Sequence, residues 1–583
     1  MKILLIHPED SPRRGPWARQ EWDLIIDLGK SSEQTAAAWQ ALCRCPVLRL
    51  ASFRTPVEDP RQAGNLLRAG FGQLLDSCGL DWWELTSLYV HAQLEAVLAM
   101  QRLAVTADVR GDLYCTRPGW PVDAFAKLLG KADLRSLSTS SPSNAVGRMQ
   151  RFTHALSRLS MSQAFDVACD KYDADYRWRA RFRRRPAKSL NAAVLVPSAY
   201  TNVSRAAAGY ARLLPELNFL LVATRRSALM FDRVSNMTVS PLAGYASSHQ
   251  RPQEYAELVH RWTQLREKLR HVREFELLIS SGILEPLQDW IRSGLAVRDA
   301  WSKVLDSEPI TAVLCGDDSN WHTRLPVVLA RKRSLPTLDF HHGALDGRFL
   351  MKALSSDSYL AKTEMEWDYL TRVCRVPSER VLLGGGEVVK PIDRPNGAEH
   401  RPHILFFSEP YESSGGRPEE VYRELLPPLY RLAQEHARTL VVKLHPFENS
   451  RERQRLVEAT LGTPPSAVKI VTGSLSPSLL ESAWFGITVE SSTVLDCTKS
   501  GVPCFHCPWF GLTPYGYGEQ FARFGIGCVL SSPGDLAVIP RLLEEWPRRY
   551  KESKVGQTAE ILRQVFSGRA MPTPALPHWG ETE

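Results

Sequence analysis

The chain reads as an α/β protein built on parallel sheets and divided into more than one domain. Three observations carry that reading. Short apolar runs alternate with helical patterns along most of the sequence, the runs end in polar or proline-containing turns, and 583 residues exceed what one hydrophobic core organises. At roughly 100 to 200 residues per domain, two to four domains are expected. The composition agrees: 44% hydrophobic and 23% charged residues with mean hydropathy −0.24 exclude a collagen-like, a largely disordered or a multispan membrane chain. A net charge of +8 over this length is too mild an excess to imply a nucleic-acid partner by itself.

From the N-terminus, strands are expected at Lys2–Ile6, Trp22–Leu28, Val47–Leu50 and Asp112–Cys115, with a long helix over Trp82–Ala104. The opening MKILLIHPED has only four consecutive apolar residues before His7 and Pro8, too few for a signal peptide. Residues 136–188 break the α/β rhythm and read as a subdomain or helical insertion, Ser-rich at first and ending in YRWRARFRRRPAK. Six arginines lie within 177–185, with Trp178 and Phe182 between them. They form either a solvated face or a patch that docks on anionic lipid headgroups or a polyanionic saccharide. No base-reading module accompanies them, so no nucleic acid is expected.

Strands resume at Ala192–Val196, Asn218–Ala223, Thr311–Cys315 and Thr337–Phe340, with a helix over Pro252–His271. The stretch VVKPIDRPNGAEHRPH, punctuated by Pro391, Pro395, Gly397 and Pro402, reads as a linker. It separates an N-terminal lobe over 1–395 from a C-terminal lobe over 400–567, with 568–583 as a loose tail. The second lobe contributes strands at His403–Phe407, Thr439–Leu444, Lys469–Val471, Gly486–Val489 and Val502–His506. The longest uncharged stretch, Ser500–Gly518, is broken by Pro503, Pro508 and Pro514 and cannot form a membrane span. Eleven scattered cysteines suit reduced thiols better than a disulfide scaffold. The pair Cys504/Cys507 reads either as a buried strand or as metal or redox chemistry.

In an open parallel sheet, ligands sit beyond the carboxyl ends of the strands, and three strand ends of the last domain carry suitable residues. After His403–Phe407 come Ser408, Glu409 and Pro410, then a small-residue loop over Ser413–Gly416. The run TLVVKLHPFE ends on Lys443 and His445, with Pro446 stopping the strand. An imidazole there can donate to a phosphate oxygen or carry positive charge beside it. The stretch ESAWFGITVESSTVLDCTKSGVPCF reads as a strand, a turn at Glu490-Ser491-Ser492 and a helix over Thr493–Ser500, with Ser492 as N-cap and Gly501 as C-cap. Hydroxyls, the first-turn N–H groups from Thr493 onward and the positive end of the helix dipole then meet at one point, as an anion site requires. The alternative is an ordinary strand-to-helix corner in which the serines only cap.

KLHP followed about forty residues later by ESSTVLDCTKSGVPCF resembles the nucleotide-binding half of GT-B glycosyltransferases. The pattern is similar to that of bacterial sialyltransferases, capsule Kdo transferases and CDP-glycerol glycerophosphotransferases. The resemblance implies that His445, Ser491 and Ser492 bind the donor phosphate and that Glu490 meets the ribose or donor sugar. Upstream, LPTLDFHHGALDGRFLMKALSSDSYLAKTEMEWDYL resembles the end of a GT-B N-terminal domain, with His342-Gly343 at the turn and Asp357–Leu360 as the following strand.

An acceptor hydroxyl also needs a base. AVLCGDDSNWHTR puts Asp317 and Asp318 at a strand end, where like-charge proximity raises one pKa toward neutrality. Gly316 precedes the pair, whereas the similar sialyltransferases carry their glycine after it. The alternative is that one of the two caps the helix over Trp321–Arg331. His342 and Asp346 are rival bases, and Asn202 and Ser204 are candidate acceptor contacts.

The resemblance thus implies a GT-B fold of two Rossmann-like lobes, the N-terminal one enlarged. It implies an inverting, metal-independent glycosyltransferase without cofactor, using a CMP- or CDP-linked donor in preference to a UDP-sugar. The acceptor would be a bacterial surface polysaccharide or lipid-linked saccharide made in the cytoplasm, with Arg177–Arg185 meeting the inner face of the plasma membrane. A UDP-sugar epimerase of related fold and a non-catalytic polysaccharide-assembly protein are the alternatives.

Overall fold

The computed structural model describes residues 1–137, 192–341, 354–384 and 401–568, except 9, 11, 13–14, 30–32, 54–66, 132–133, 230, 247–250, 317, 412–415, 446–447, 463–467, 474, 490, 511–519, 522, 525 and 546–557. The expected insertion beyond residue 137, the arginine run, the linker over 388–400 and the tail beyond Gly568 lie outside the described residues.

Three parallel sheets organise the chain. Lys2–Ile6 (β1), Leu24–Asp27 (β2), Val47–Arg49 (β3), Asp112–Cys115 (β4) and Arg135–Ser136 (β5) form a five-stranded sheet in the order β3-β2-β1-β4-β5. Ala193–Ser198 (β6), Asn218–Ala223 (β7), Met237–Pro241 (β8), Ile310–Cys315 (β9), Thr337–Phe340 (β10), Ser358–Ala361 (β11) and Val381–Leu383 (β12) form a seven-stranded sheet in the order β12-β11-β10-β9-β6-β7-β8. His403–Phe407 (β13), Thr439–Lys443 (β14), Val468–Val471 (β15), Ala483–Thr488 (β16), Cys504–His506 (β17) and Cys528–Val529 (β18) form a six-stranded sheet in the order β15-β14-β13-β16-β17-β18. In each, the first strand lies inside the sheet and the strand order reverses beside it, the doubly wound arrangement.

The seven- and six-stranded sheets are two Rossmann-like parallel sheets with helical packing. The upstream excess of chain, expected as an enlargement of the first lobe, is over residues 1–137 a third parallel sheet of the same winding. Strands β6, β13 and β16 are almost wholly buried runs, as expected of sheets covered by helices on both faces. The helix Pro418–Glu435 shows how the cover is built: Val421, Tyr422, Leu425, Leu426, Leu429 and Leu432 recur at helical spacing and pack on β13 and β14.

By contact, the chain divides into two compact units. One comprises Met1–Pro56, Glu95–Ser138 and Val388–Ser553 and holds the five- and six-stranded sheets; the other comprises Val57–Leu94, Thr139–Glu387 and Lys554–Glu583 and holds the seven-stranded sheet. The last helix, Thr558–Phe566, which the sequence reading kept with the C-terminal lobe, buries Leu562, Val565 and Phe566 in the core of the seven-stranded sheet. Among the described residues no helix is long and apolar enough to cross a membrane.

Candidate functional site

In the six-stranded sheet the strand order reverses between β13 and β16, so the loops leaving these strands start where an open parallel sheet takes its ligands. Ser408 and Glu409 follow β13, and Val489, Ser491 and Ser492 follow β16. The two loops are joined: the Thr488 hydroxyl donates to Glu409 Oε1 at 2.8 Å and accepts from the Ser491 amide at 3.2 Å.

The helix Thr493–Lys499 starts differently from expectation. Ser492 has helical backbone angles (φ −63°, ψ −5°) and makes no capping bond with its side chain. Ser491 Oγ instead accepts from the Thr493 amide at 3.3 Å. The physical reason is that the chain enters the helical conformation early. The Ser491 and Ser492 carbonyls already accept from Val494 and Leu495 at 3.4 and 3.0 Å, which moves the capping position back one residue. Ser492 is left half-buried, and Thr493 Oγ1 is buried without a partner among the described residues. The C-terminal end agrees with expectation, with Gly501 left-handed at φ +62°.

His445 follows β14. Its backbone amide donates to Glu448 Oε2 at 2.7 Å, and the Glu448 amide returns a bond to the His445 carbonyl at 3.0 Å, a closed turn that fixes the His445 backbone. Glu448 Oε1 in turn accepts from Ser408 Oγ and from Arg453 Nε, each at 2.7 Å, and Ser408 Oγ shares a 2.8 Å bond with the Tyr422 hydroxyl. Ser408 is therefore a brace that joins β13 to the His445 turn. Burial lifts the Glu448 carboxyl above its usual range despite the Ser408, His445 and Arg453 donors.

Burial, with the Lys443 ammonium second, pushes the His445 imidazole down to about 4. The imidazole is therefore neutral at neutral pH, so of its two expected roles His445 brings a hydrogen bond rather than a standing positive charge. Lys443, placed by the sequence reading among the donor-binding residues, is buried. Its ammonium donates to the carbonyls of Leu444 and Gly473 at 2.8 and 2.7 Å. Pro446 and Glu490 lie outside the described residues. Glu448, Arg453 and Tyr422 escaped the sequence reading; the one signal was a carboxylate three residues after the histidine.

The candidate bases belong to the second unit. Asp318 is 2% exposed and accepts from Ser355 Oγ at 2.6 Å, so it does not stand open as expected. Nor does it cap the following helix: Asn320 does, with Oδ1 accepting from the His322 amide at 3.0 Å. Asn320 Nδ2 also donates to the Tyr200 hydroxyl at 3.2 Å, tying the loop after β9 to the loop after β6. Ser204, a candidate acceptor contact, is wholly buried, bonded to Ser198 Oγ at 2.9 Å and the Ala228 carbonyl at 2.7 Å. Asn202 is half-buried in the first turn of the helix Thr201–Leu213. Asp317, His342 and Asp346 lie outside the described residues.

Cys504 and Cys507 are both buried free thiols, and Cys504 neighbours Cys497 on the adjacent helix. Among the described residues no group of three or more His, Cys, Asp or Glu could hold a metal ion.

No protein-family model matches the chain, and no curated protein matches it. Among solved structures, it is similar to the UDP-GlcNAc 2-epimerase of Methanocaldococcus jannaschii at 11% identity, over 64% of this chain and 99% of that one, with a TM-score of 0.41. It is similar to the wall teichoic acid polymerase TagF at 10% identity, over 70% and 96% of the chains, TM-score 0.39. It is also similar to Acinetobacter baumannii MurG at 12% identity, over 65% and 100%, TM-score 0.38. Likenesses this distant carry no substrate or residue role to this chain; those are argued from its own residues.

Proposed function

We propose that the chain is a glycosyltransferase that moves a sugar from a nucleotide-activated donor, CMP- or CDP-linked, to a growing bacterial surface polysaccharide or lipid-linked saccharide. One observation carries the reading. At the strand-order reversal of the six-stranded sheet, Ser491 and Ser492 follow β16 and Glu409 follows β13, the two loops joined through Thr488, and the backbone of His445 after the neighbouring strand β14 is held by Glu448. Hydroxyls, backbone N–H groups and an N–H-bearing ring there suit the phosphates of a nucleotide.

In this reading His445, Ser491 and Ser492 take the donor phosphate and stabilise it as it leaves, and Glu490 meets the ribose or sugar. Thr493 contributes its first-turn position, and Pro446 belongs to the same donor-binding turn. Lys443 acts through charge, since its ammonium is occupied. Displacement is in line and inverting, without a metal. The acceptor proton goes to Asp317 in preference to Asp318, whose carboxylate is buried against Ser355; His342 and Asp346 are the rivals. Arg177–Arg185 holds the protein at an anionic membrane face.

A thermal-shift series with CMP, CDP, UDP and GDP tests the core of this. A nucleotide at 100 times its dissociation constant adds about 2.7 kcal/mol, and CMP or CDP should give the largest shift. Because His445 is neutral, His445→Gln should keep much of that binding, whereas His445→Ala should lose about 1.5 to 3 kcal/mol, one hydrogen bond to a charged acceptor. No shift from any of the four nucleotides would end the transferase reading. Release of free nucleotide from a sugar donor only when acceptor is supplied would separate transfer from epimerisation.

A further inference from the structure

The unit that holds the seven-stranded sheet contains a cavity of about 1080 Å³ that takes no part in the transfer reading. Its walls are the turn over 75–78, Arg251 with the first half of the helix Pro252–Leu269, the second half of the helix Leu287–Ser307, and Arg333. The helix Leu287–Ser307 leads into β9, and Arg333 comes just before β10, so the cavity lies at the amino ends of these strands. Asp318 and Asn320 leave the opposite, carboxyl end of β9. A volume of this order holds an organic molecule rather than a single ion.

Most acidic groups of the lining are already occupied. The buried Arg298 donates to Asp76 Oδ2 at 2.8 Å, to both Glu254 oxygens at 2.6 and 2.9 Å, and to Asp299 Oδ1 at 2.8 Å. Asp76 Oδ1 also accepts from the Cys78 and Leu80 amides, Glu254 Oε1 from the Ser77 amide, and Asp299 Oδ2 from Arg251 Nε. Asp306 accepts from Arg333 Nη2 at 2.7 Å. The basic groups are largely open. Lys303 is exposed, and its ammonium has no hydrogen bond or ion pair among the described residues. Arg261, also exposed, gives one N–H to the Leu75 carbonyl at 2.6 Å, and Arg251 gives only its Nε, so each guanidinium keeps further donors. Glu257, one turn before Arg261, is the lining carboxylate without a partner among the described residues, and it offsets one of these cations at most. Cations and carboxylates are thus near balance in number but not in placement. The side chains of Asp76, Glu254 and Asp299 are only 0%, 12% and 11% exposed, whereas that of Arg251 is 50% exposed. A ligand meets the cations first, and it finds donors where the acceptors are taken.

We propose that this cavity binds a small organic polyanion, a di- or tricarboxylate or a phosphate ester, with Lys303 and Arg261 taking its anionic groups from two helices and Arg251 adding a third contact. A guanidinium holds a carboxylate or phosphate through paired N–H groups, and an ammonium acts on it as a compact charge. Leu75, 40% exposed, and Pro252 supply apolar surface for a carbon skeleton. The inference goes beyond the transfer reading and stands without it, because the cavity shares no residue with the turns that carry His445 and Ser491.

The test is isothermal titration of the full chain with citrate and with fructose 1,6-bisphosphate at low, matched ionic strength, with sodium sulfate as the single-anion comparison. Citrate or the bisphosphate should bind saturably, the tighter of the two identifying carboxylate or phosphate as the preferred group, and sulfate should bind at least about tenfold more weakly. Lys303→Ala and Arg261→Ala should each weaken binding roughly tenfold, through loss of a charge-assisted hydrogen bond. Arg261 also holds the turn over 75–78, so if Arg261→Ala lowers the urea midpoint, Lys303→Ala decides, since it removes no hydrogen bond or ion pair among the described residues. Lys268, an exposed cation farther along the helix Pro252–Leu269 and outside the cavity, supplies the control: Lys268→Ala should leave binding unchanged. The CMP or CDP thermal shift should survive Lys303→Ala, and binding of the organic anion should survive His445→Ala, so the two readings fail separately. Binding of neither organic anion overturns the proposal, even where poly-L-glutamate binds, which would make the cavity a docking surface for acidic protein. Sulfate binding as tight as the organic anions, or equal weakening by Lys268→Ala and Lys303→Ala, overturns it as diffuse attraction. Binding abolished by His445→Ala and indifferent to Lys303→Ala overturns it by placing the probe at the serine turn.

Discussion

His506 ends β17 with its ring 1% exposed, stacked on Phe521 at 5.0 Å, and neither nitrogen has a hydrogen-bond partner among the described residues. Burial pushes its pKa from 6.5 down to about 4. The folded protein therefore resists a proton that the unfolded chain accepts. Between these two values the unfolded state binds more protons, so stability is complete above about pH 6.5 and falls on acidification toward pH 4. One such site is worth about 3 kcal/mol across that window. His506→Phe should flatten the dependence of the urea midpoint on pH between 7 and 5, whatever it does to the midpoint itself. An unchanged slope would mean that His506 finds a partner that lets it titrate normally. His445, with a similar depression, contributes in the same direction and would be separated by His445→Gln.

At the level of elements, what could be read from the sequence was local. Apolar runs such as ILLI and HILFF mark strands because buried parallel strands need apolar side chains on both faces, and β1, β4, β10 and β13 fall where expected. The strand–turn–helix around Ser491 was legible too, but its cap was not. Choosing Ser491 over Ser492 depends on where the backbone first turns helical, a difference of one residue that composition does not encode. Glu448, Arg453 and Tyr422 were hidden for another reason: each matters through a contact made by folding three separate segments together. Gly486 in β16 shows how tight the result is. A Cβ there would lie 2.7 Å from Phe407 Cε2 and 3.2 Å from both Cys497 Sγ and Cys504 Sγ, between a central strand and the helix that carries the serine turn. Overpacking of this kind costs about 1 to 3 kcal/mol. Gly486→Ala should lower the urea midpoint accordingly and weaken CMP or CDP binding, because the helix Thr493–Lys499 must move. An unchanged midpoint would show that Phe407 and the two thiols yield freely.

For the whole molecule, the least legible feature is that the N-terminal sheet shares a unit with the six-stranded sheet some 400 residues downstream. Nothing local says that residues near 27 and residues near 417 meet, since parallel sheets are assembled from segments far apart in sequence. The contact is nonetheless specific. Arg417 Nη2 reaches Asp27 Oδ1 at 2.9 Å and Oδ2 at 3.1 Å, with both side chains almost fully buried, and the Gly29 amide also donates to Asp27 at 2.9 Å. Desolvation makes such a pair a poor source of net stability, but removing one member leaves the other charge buried and uncompensated, at about 3 to 5 kcal/mol. Asp27→Asn, nearly isosteric, should therefore destabilise the unit that holds the five- and six-stranded sheets by that amount. Asp27→Leu combined with Arg417→Met should recover most of the loss, since an apolar pair has no charge to strand. Because both sheets belong to one compact unit, the loss should appear at once in the hydrogen exchange of Leu4 and Leu5 in β1 and of Leu405 and Phe406 in β13. Exchange that accelerates in β1 alone would mean that the five-stranded sheet opens independently, and that the Asp27–Arg417 pair fixes position without coupling the two sheets.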